Sequence, residues 1–201
     1  MTKTGIANLA CQRLGIELVI TNVDTDTSQE AISIKTVFDQ ERDAVMRSLD
    51  WPWATKYVAL GLVAGTSTTP ANNDWQYSYR YPPDCLRARR LTIQGDRTSA
   101  ERLPFAVGRD DTGRLIFTDQ VEAELEYTMQ ITVASEFDAL FASMLAWRIA
   151  ATVGFARQRV PQSAERAAQM FRYEWQVAGG SALNERQGDP ALDAEWIRAR
   201  A

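Results

Sequence analysis

The sequence predicts an α+β fold: a helical bundle formed by the N- and C-terminal helices, an inserted small antiparallel β lobe, and an extended C-terminal tail. Three observations predict it. Apolar residues recur at three-to-four-residue spacing towards both ends of the chain. The middle breaks into short runs separated by turn-forming residues at strand-like intervals of roughly 8–12 residues. Beyond Gly179-Gly180 the chain becomes polar and rich in small residues. On this reading residues 1–54 and 131–180 form the bundle, residues 55–130 the β lobe, and residues 181–201 a partner-docking tail.

Residues 4–14 read as a short helix with Ile6, Leu9, Ala10 and Leu14 on one face and Gly15 as its stop. The polar stretch 21–28 supplies N-cap candidates for a longer helix over residues 28–49. In that helix Ala31, Ile34, Phe38, Val45 and Leu49 keep helical spacing. Pro52 forces Trp51 out of helical geometry, and the Trp51-Pro52-Trp53 corner is expected to plug one end of the core. Strands are predicted at 75–81, 86–94, 102–107, 114–118 and 121–128. Pro82-Pro83-Asp84, Gly95-Asp96 and Asp110-Asp111-Thr112-Gly113 serve as turns. The last strand alternates, with Val121, Ala123, Leu125 and Tyr127 on one face and Glu122, Glu124 and Glu126 on the other. Residues 135–159 are apolar almost all round and predict the central buried helix, with Ser135 as its cap. Pro161 breaks that run, and a second helix over 162–178 stops at Gly179-Gly180.

Composition narrows the function. The 201 residues carry a net charge of −4, with 45% apolar and 24% charged residues, enough apolar side chains for a sizeable core. An acidic balance argues against a phosphate-gripping nucleic-acid binder, which needs a basic excess or stripe. Arg87, Arg89 and Arg90, with Arg80 upstream, form either a solvated strand face or a protein interface, where arginine is enriched over lysine. Cys11 and Cys85 lie far apart and without metal-binding spacing, so two free, buried thiols in a reducing compartment are expected. The first fifteen residues lack the apolar core of a secretory signal. No stretch is expected to reach the roughly 18 apolar residues of a membrane span, and the sequence predicts a soluble protein.

The chain has no histidine, so histidine-dependent nucleophilic catalysis is excluded. No phosphate-binding glycine loop, nucleophile elbow or dinucleotide fingerprint is present. Cys85 sits beside arginines that would lower a thiol pKa, but it has no histidine base. Paired carboxylates leave one enzymatic alternative open, a virion-associated glycan hydrolase. Its candidates are Glu122, Glu124 and Glu126 on one strand face and Asp110-Asp111 in a turn. No cofactor and no metal are implied. In the tail, Trp196, Ile197, Arg198 and Arg200 are too isolated to build a core of their own, so the end either frays or docks on a partner.

Four blocks in order resemble the tailed-phage head-to-tail adaptor family of the tail tubular protein A type. They are the opening helix with Leu14-Gly15; the run Arg42-Asp43 through Arg47 and Asp50-Trp51-Pro52-Trp53-Ala54; the segment Trp75, Tyr77, Tyr79-Arg80-Tyr81-Pro82, Asp84-Cys85-Leu86; and Phe137-Asp138 through Phe141 to Ala146-Trp147. The resemblance spans nearly the whole chain. It implies a structural, non-enzymatic virion protein made in the host bacterial cytoplasm. It further implies a homo-oligomeric ring, typically a dodecamer, clamped between the portal protein ring and the tail nozzle, with DNA passing through the lumen without specific binding. The bundle and the tail residues Trp196, Ile197, Arg198 and Arg200 would then face the portal. Trp75, Tyr77, Tyr79, Arg87 and Arg89 would lie in lateral contacts of the β lobe, where the tyrosines exceed what one small sheet core needs.

Overall fold

A computed structural model describes residues 1–17, 19–66, 68–93, 103–157 and 161–185. The chain is α+β. Helices α1 (Lys3–Arg13) and α2 (Gln29–Ser48) lead into seven strands: β1 (Thr55–Ala59), β2 (Leu62–Ala64), β3 (Tyr77–Arg80), β4 (Cys85–Ile93), β5 (Ala106–Asp110), β6 (Gly113–Thr118) and β7 (Ala123–Met129). Helices α3 (Ala139–Arg157) and α4 (Pro161–Glu185) follow. The first two helices begin as side-chain capping dictates. Thr2 Oγ1 accepts from the Gly5 N–H at 3.0 Å, and Ser28 Oγ from that of Ala31 at 3.3 Å. Gly15 takes a left-handed φ of 74° just past α1, which turns the chain away from the helix.

Helix α3 is the axis of the bundle. Phe141, Leu145 and Ile149 are fully buried among Ile6 and Ala10 of α1 and Ile34, Phe38 and Met46 of α2, with Ala167 and Ala178 of α4 in the same core. Small residues let the helices approach closely. A Cβ added at Gly154 would lie 2.8 Å from both the Ala164 Cβ and the Leu14 Cδ2. The window Ala139–Ala156 has a mean hydropathy of 1.5, long and apolar enough by those measures to cross a membrane, contrary to expectation. Its packing against α1, α2 and α4 accounts for that apolarity.

Two helix boundaries differ from the sequence reading. Residues 134–136 form a separate 3-10 turn, and Asp138 caps α3 in place of Ser135, its Oδ1 accepting from Leu140 N–H at 2.7 Å and Phe141 N–H at 3.3 Å. At the other end α4 runs through Gly179-Gly180 to Glu185. Each glycine costs about 1 kcal/mol relative to alanine, but Ala178 and Ala182 on either side are buried and hold the helix against the core. The first turn of what was expected to be tail is therefore helical.

The β lobe is two small antiparallel sheets with orders β1-β7-β4 and β2-β3-β6-β5. Their inner faces share one core of Tyr77, Tyr79, Tyr81, Leu91, Ile116, Leu125 and Tyr127. The chain passes between the sheets at Leu60-Gly61, where Leu60 N–H donates to Ala123 and Gly61 accepts from Arg80 N–H. Strands β1 and β2 escape the sequence reading because mostly exposed residues interrupt their alternation. β5 begins later than expected, because the Asp110–Gly113 pair closes a two-residue hairpin and sets the register back from that turn. The glutamate face of β7 is also corrected. Glu126 is buried against Arg90, and Glu122 sits ahead of the strand at φ 53°. Met129 packs against both cores, and Leu86 of β4 against that of the bundle.

Candidate functional site

The outer surface of the bundle carries an open, largely apolar groove. Ala44, Val45 and Ser48 of α2, Arg148 of α3, and Phe171 and Trp175 of α4 line a groove of about 490 Å³. It arises from how α4 packs. Ala164, Ala167, Ala178 and Ala182 face inwards and allow close contact, so the bulky residues are left outside. Tyr173 is 61% exposed, and Trp175 and Val177 are also solvent-facing. The groove walls are held by defined bonds. Trp175 Nε1 donates to Ser48 Oγ at 3.2 Å, and the Arg148 guanidinium lies 5.3 Å from the Phe171 ring centre. Arg148 Nε in turn donates to Glu41 at 2.7 Å, and Thr152 Oγ1 donates to the other Glu41 oxygen at 2.7 Å.

The residues expected at lateral contacts have mixed fates. Tyr77 and Tyr79 belong to the lobe's own core, with Tyr79 Oη donating to the Gln120 carbonyl at 2.9 Å. They are needed because two sheets, rather than one, close on that core. Trp75 is half-buried just ahead of β3. Arg89 is withdrawn from the surface, with a side chain only 3% exposed. It donates to Thr128 Oγ1 at 2.8 Å, Thr55 Oγ1 at 2.7 Å and the Trp51 carbonyl at 3.2 Å, and lies 3.2 Å from Asp50. It thus bolts the lobe to the bundle. Arg87 stays exposed, 3.3 Å from Asp50 and donating to the Arg47 carbonyl. Trp196, Ile197, Arg198 and Arg200 lie outside the described residues.

The groups with chemical potential are engaged in holding the fold. Burial pushes the Cys85 thiol up, against the opposing pull of Tyr81 and Arg114, so the arginines do not make it a ready thiolate. Cys11 is buried in the bundle. Burial works to raise the Asp84 carboxyl, but the Lys56 ammonium at 2.8 Å and the Tyr127 hydroxyl at 2.9 Å outweigh it and hold it low. Burial, and then donation to Asp84, push Tyr127 up to about 12, the wrong direction for a base or nucleophile at neutral pH. Asp110 is held far below its ordinary value by Arg80, then by Thr112 and the Gly113 N–H, as the acceptor that shapes the hairpin. Glu122 is exposed, Glu124 half-buried and Glu126 buried, and no group of three acids, cysteines or histidines fit to hold a metal occurs among the described residues.

The apolar groove was hidden in the sequence because helical periodicity assigns large side chains to the inside. The four inward alanines were the available signal. In comparisons with known proteins, no family model matches the chain and no curated protein matches it significantly.

Proposed function

We propose that the chain is a structural subunit of a phage head-to-tail adaptor ring, seated between a portal ring and a tail nozzle. The single observation that carries this reading is the open groove between α2 and α4, where Phe171 and Trp175 lie one helical turn apart and Trp175 stays 39% exposed. A groove lined by accessible aromatic side chains is matched to a protein partner, since buried aromatics supply most of the energy at interfaces. The four sequence blocks that resemble the adaptor family add support. Three of them fall where this architecture turns or packs: the Trp51-Pro52-Trp53 corner, the β3–β4 connection, and the start of α3. Portal contact falls to the bundle face and the segment after Glu185, and the lobe meets its neighbours. The net charge of −4 suits a lumen through which DNA slides.

The test is to mix purified chain with the portal rings of its phage and weigh the co-eluting complex by light scattering. The expected result is one copy bound per portal subunit, with Trp175→Ala and Tyr173→Ala weakening the complex while leaving the melting temperature unchanged. Folded chain that never shifts the mass of intact portal rings would refute the reading.

A further inference from the structure

The charge of the β lobe changes along β6: at its hairpin end Arg80, Arg109 and Arg114 outnumber Asp110 and Asp111. At one end Arg109 and Arg114 are directly opposed across the β5–β6 hairpin. Like charges at opposed positions repel, and neither arginine has an ion-pair partner among the described residues. Arg80, beside them, differs, because Asp110 neutralises it through two hydrogen bonds. The Arg114 guanidinium lies over the Tyr81 ring at 4.0 Å. Stacking leaves the edge of the guanidinium free to bind a carboxylate in two-pronged fashion. Pro82 and Pro83 line the same cleft, which has a volume of about 530 Å³.

At the other end of β6, roughly 17 Å away at strand spacing, the charge is reversed. Asp74, Asp119 and Glu122 are all exposed there, and Val121 between the last two is 53% exposed. Strand pairing brings these acids together. Tyr77 of β3 is opposite Thr118, and the Gln76 N–H donates to Asp119 at 2.9 Å.

We infer that the Arg109–Arg114 cleft receives the Asp119–Glu122 turn of a second copy of this chain. The argument is charge complementarity on one small body. An arginine pair without an ion-pair partner among the described residues meets an acidic turn in the same condition, and an exposed valine meets a proline and tyrosine wall. The overall charge of −4 favours another copy over a polyanion such as DNA. Because the two surfaces differ and lie at opposite ends of the lobe, the contact is head-to-tail and propagates around a ring. The inference rests on the ring reading and names the faces by which neighbours meet.

Sedimentation velocity of the full chain from micromolar to millimolar concentration tests it. Two variants are compared with the unaltered chain, Arg109→Glu/Arg114→Glu and Asp74→Arg/Glu122→Arg. All four positions are exposed, so melting temperatures serve as the control for folding. The expected result is a concentration-dependent mass for the unaltered chain, weakened by salt, and association roughly 100-fold weaker for each variant alone. An equimolar mixture of the two variants should associate again, because each cleft then meets an opposite turn. Three outcomes would overturn the inference: a chain monomeric throughout, variants that associate as the unaltered chain does, or duplex DNA binding that the arginine variant alone abolishes. Portal co-elution is measured on the same samples. Retained portal binding with failed charge exchange sinks this contact and leaves the ring reading standing, whereas failed portal binding strikes the ring reading itself.

Discussion

Replacing Arg89 with methionine separates two roles that the same residue could play, fastening the lobe to the bundle or meeting a neighbour. Methionine keeps most of the aliphatic stem, so the loss is confined to the guanidinium. Not all of its bonds count fully. The Trp51 carbonyl also accepts from Thr55 Oγ1 at 2.8 Å and from Ala54 N–H, so neither that carbonyl nor the Thr55 hydroxyl is left without a partner. Asp50 keeps Arg87 at 3.3 Å and is partly exposed, so only Thr128 Oγ1 loses its one hydrogen-bond donor outright. Hydrogen bonds to charged groups contribute about 1.5–3 kcal/mol each. With most acceptors rescued, the net cost comes to about 2 kcal/mol, below the ~3–5 kcal/mol of a fully buried broken pair. At roughly 2–4 °C per kcal/mol for a chain of this size, the melting temperature should fall by about 4–8 °C. Urea unfolding followed by tryptophan fluorescence reads this directly, since Trp51 and Trp53 sit at the junction. A midpoint unchanged within error, together with weakened ring or portal assembly, would refute the fastening role and return Arg89 to an interface.

Trp53→Ala should destabilise the fold by about 3 kcal/mol. The ring is tilted or edge-on to Phe141 at 5.1 Å and Phe137 at 6.2 Å, and an unchanged urea midpoint would contradict this packing. Alkaline pH should act through Tyr81 and Tyr127. Burial and then Cys85 push Tyr81 up to about 12, and burial and then Asp84 do the same for Tyr127, both from an ordinary value of 10.0. Above pH 10 the unfolded chain loses protons that the folded chain keeps, so stability is fully present below pH 10 and declines as pH rises towards about 12. Phenolate absorbance of the folded protein and urea midpoints across that window check it. Tyr127→Phe should flatten the decline.

The helical half of the fold was largely legible because its signals are local. Ser28 begins α2, Gly15 ends α1, and Pro52 breaks the chain at the corner, each through a backbone group that only certain residues can satisfy or release. The β lobe was legible in kind, and several of its strands nearly in place. That it is two sheets around one tyrosine-rich core was not, because sheet membership depends on pairing between distant segments, such as β1 with β7. The α4 boundary failed for a similar reason. Two adjacent glycines predict a stop from local propensity, yet tertiary burial of Ala178 and Ala182 carries the helix past them.

The fate of the arginines shows the physical limit of reading an interface from alternation. Arg87 and Arg89 are two residues apart and should share one face of a regular strand. Instead Arg87 is exposed and Arg89 buried. The register explains it. Arg87 is paired with Thr128, Ala88 with Tyr127 and Arg90 with Glu126, so the ladder slips on both sides of Ala88 and leaves Arg89 as the extra residue of a bulge. A bulge re-aims the side chains around it, here turning one arginine into the junction and leaving its neighbour at the surface. No composition or periodicity signal marks such a slip, because it is set by the partner strand. Arg109 and Arg114 show the opposite case. Once the Asp110–Gly113 turn is read as a two-residue hairpin, their opposition follows by counting outward from it. The charge pair that now asks for a partner was therefore within reach of the sequence, while the one that attracted notice first had already been spent on the fold.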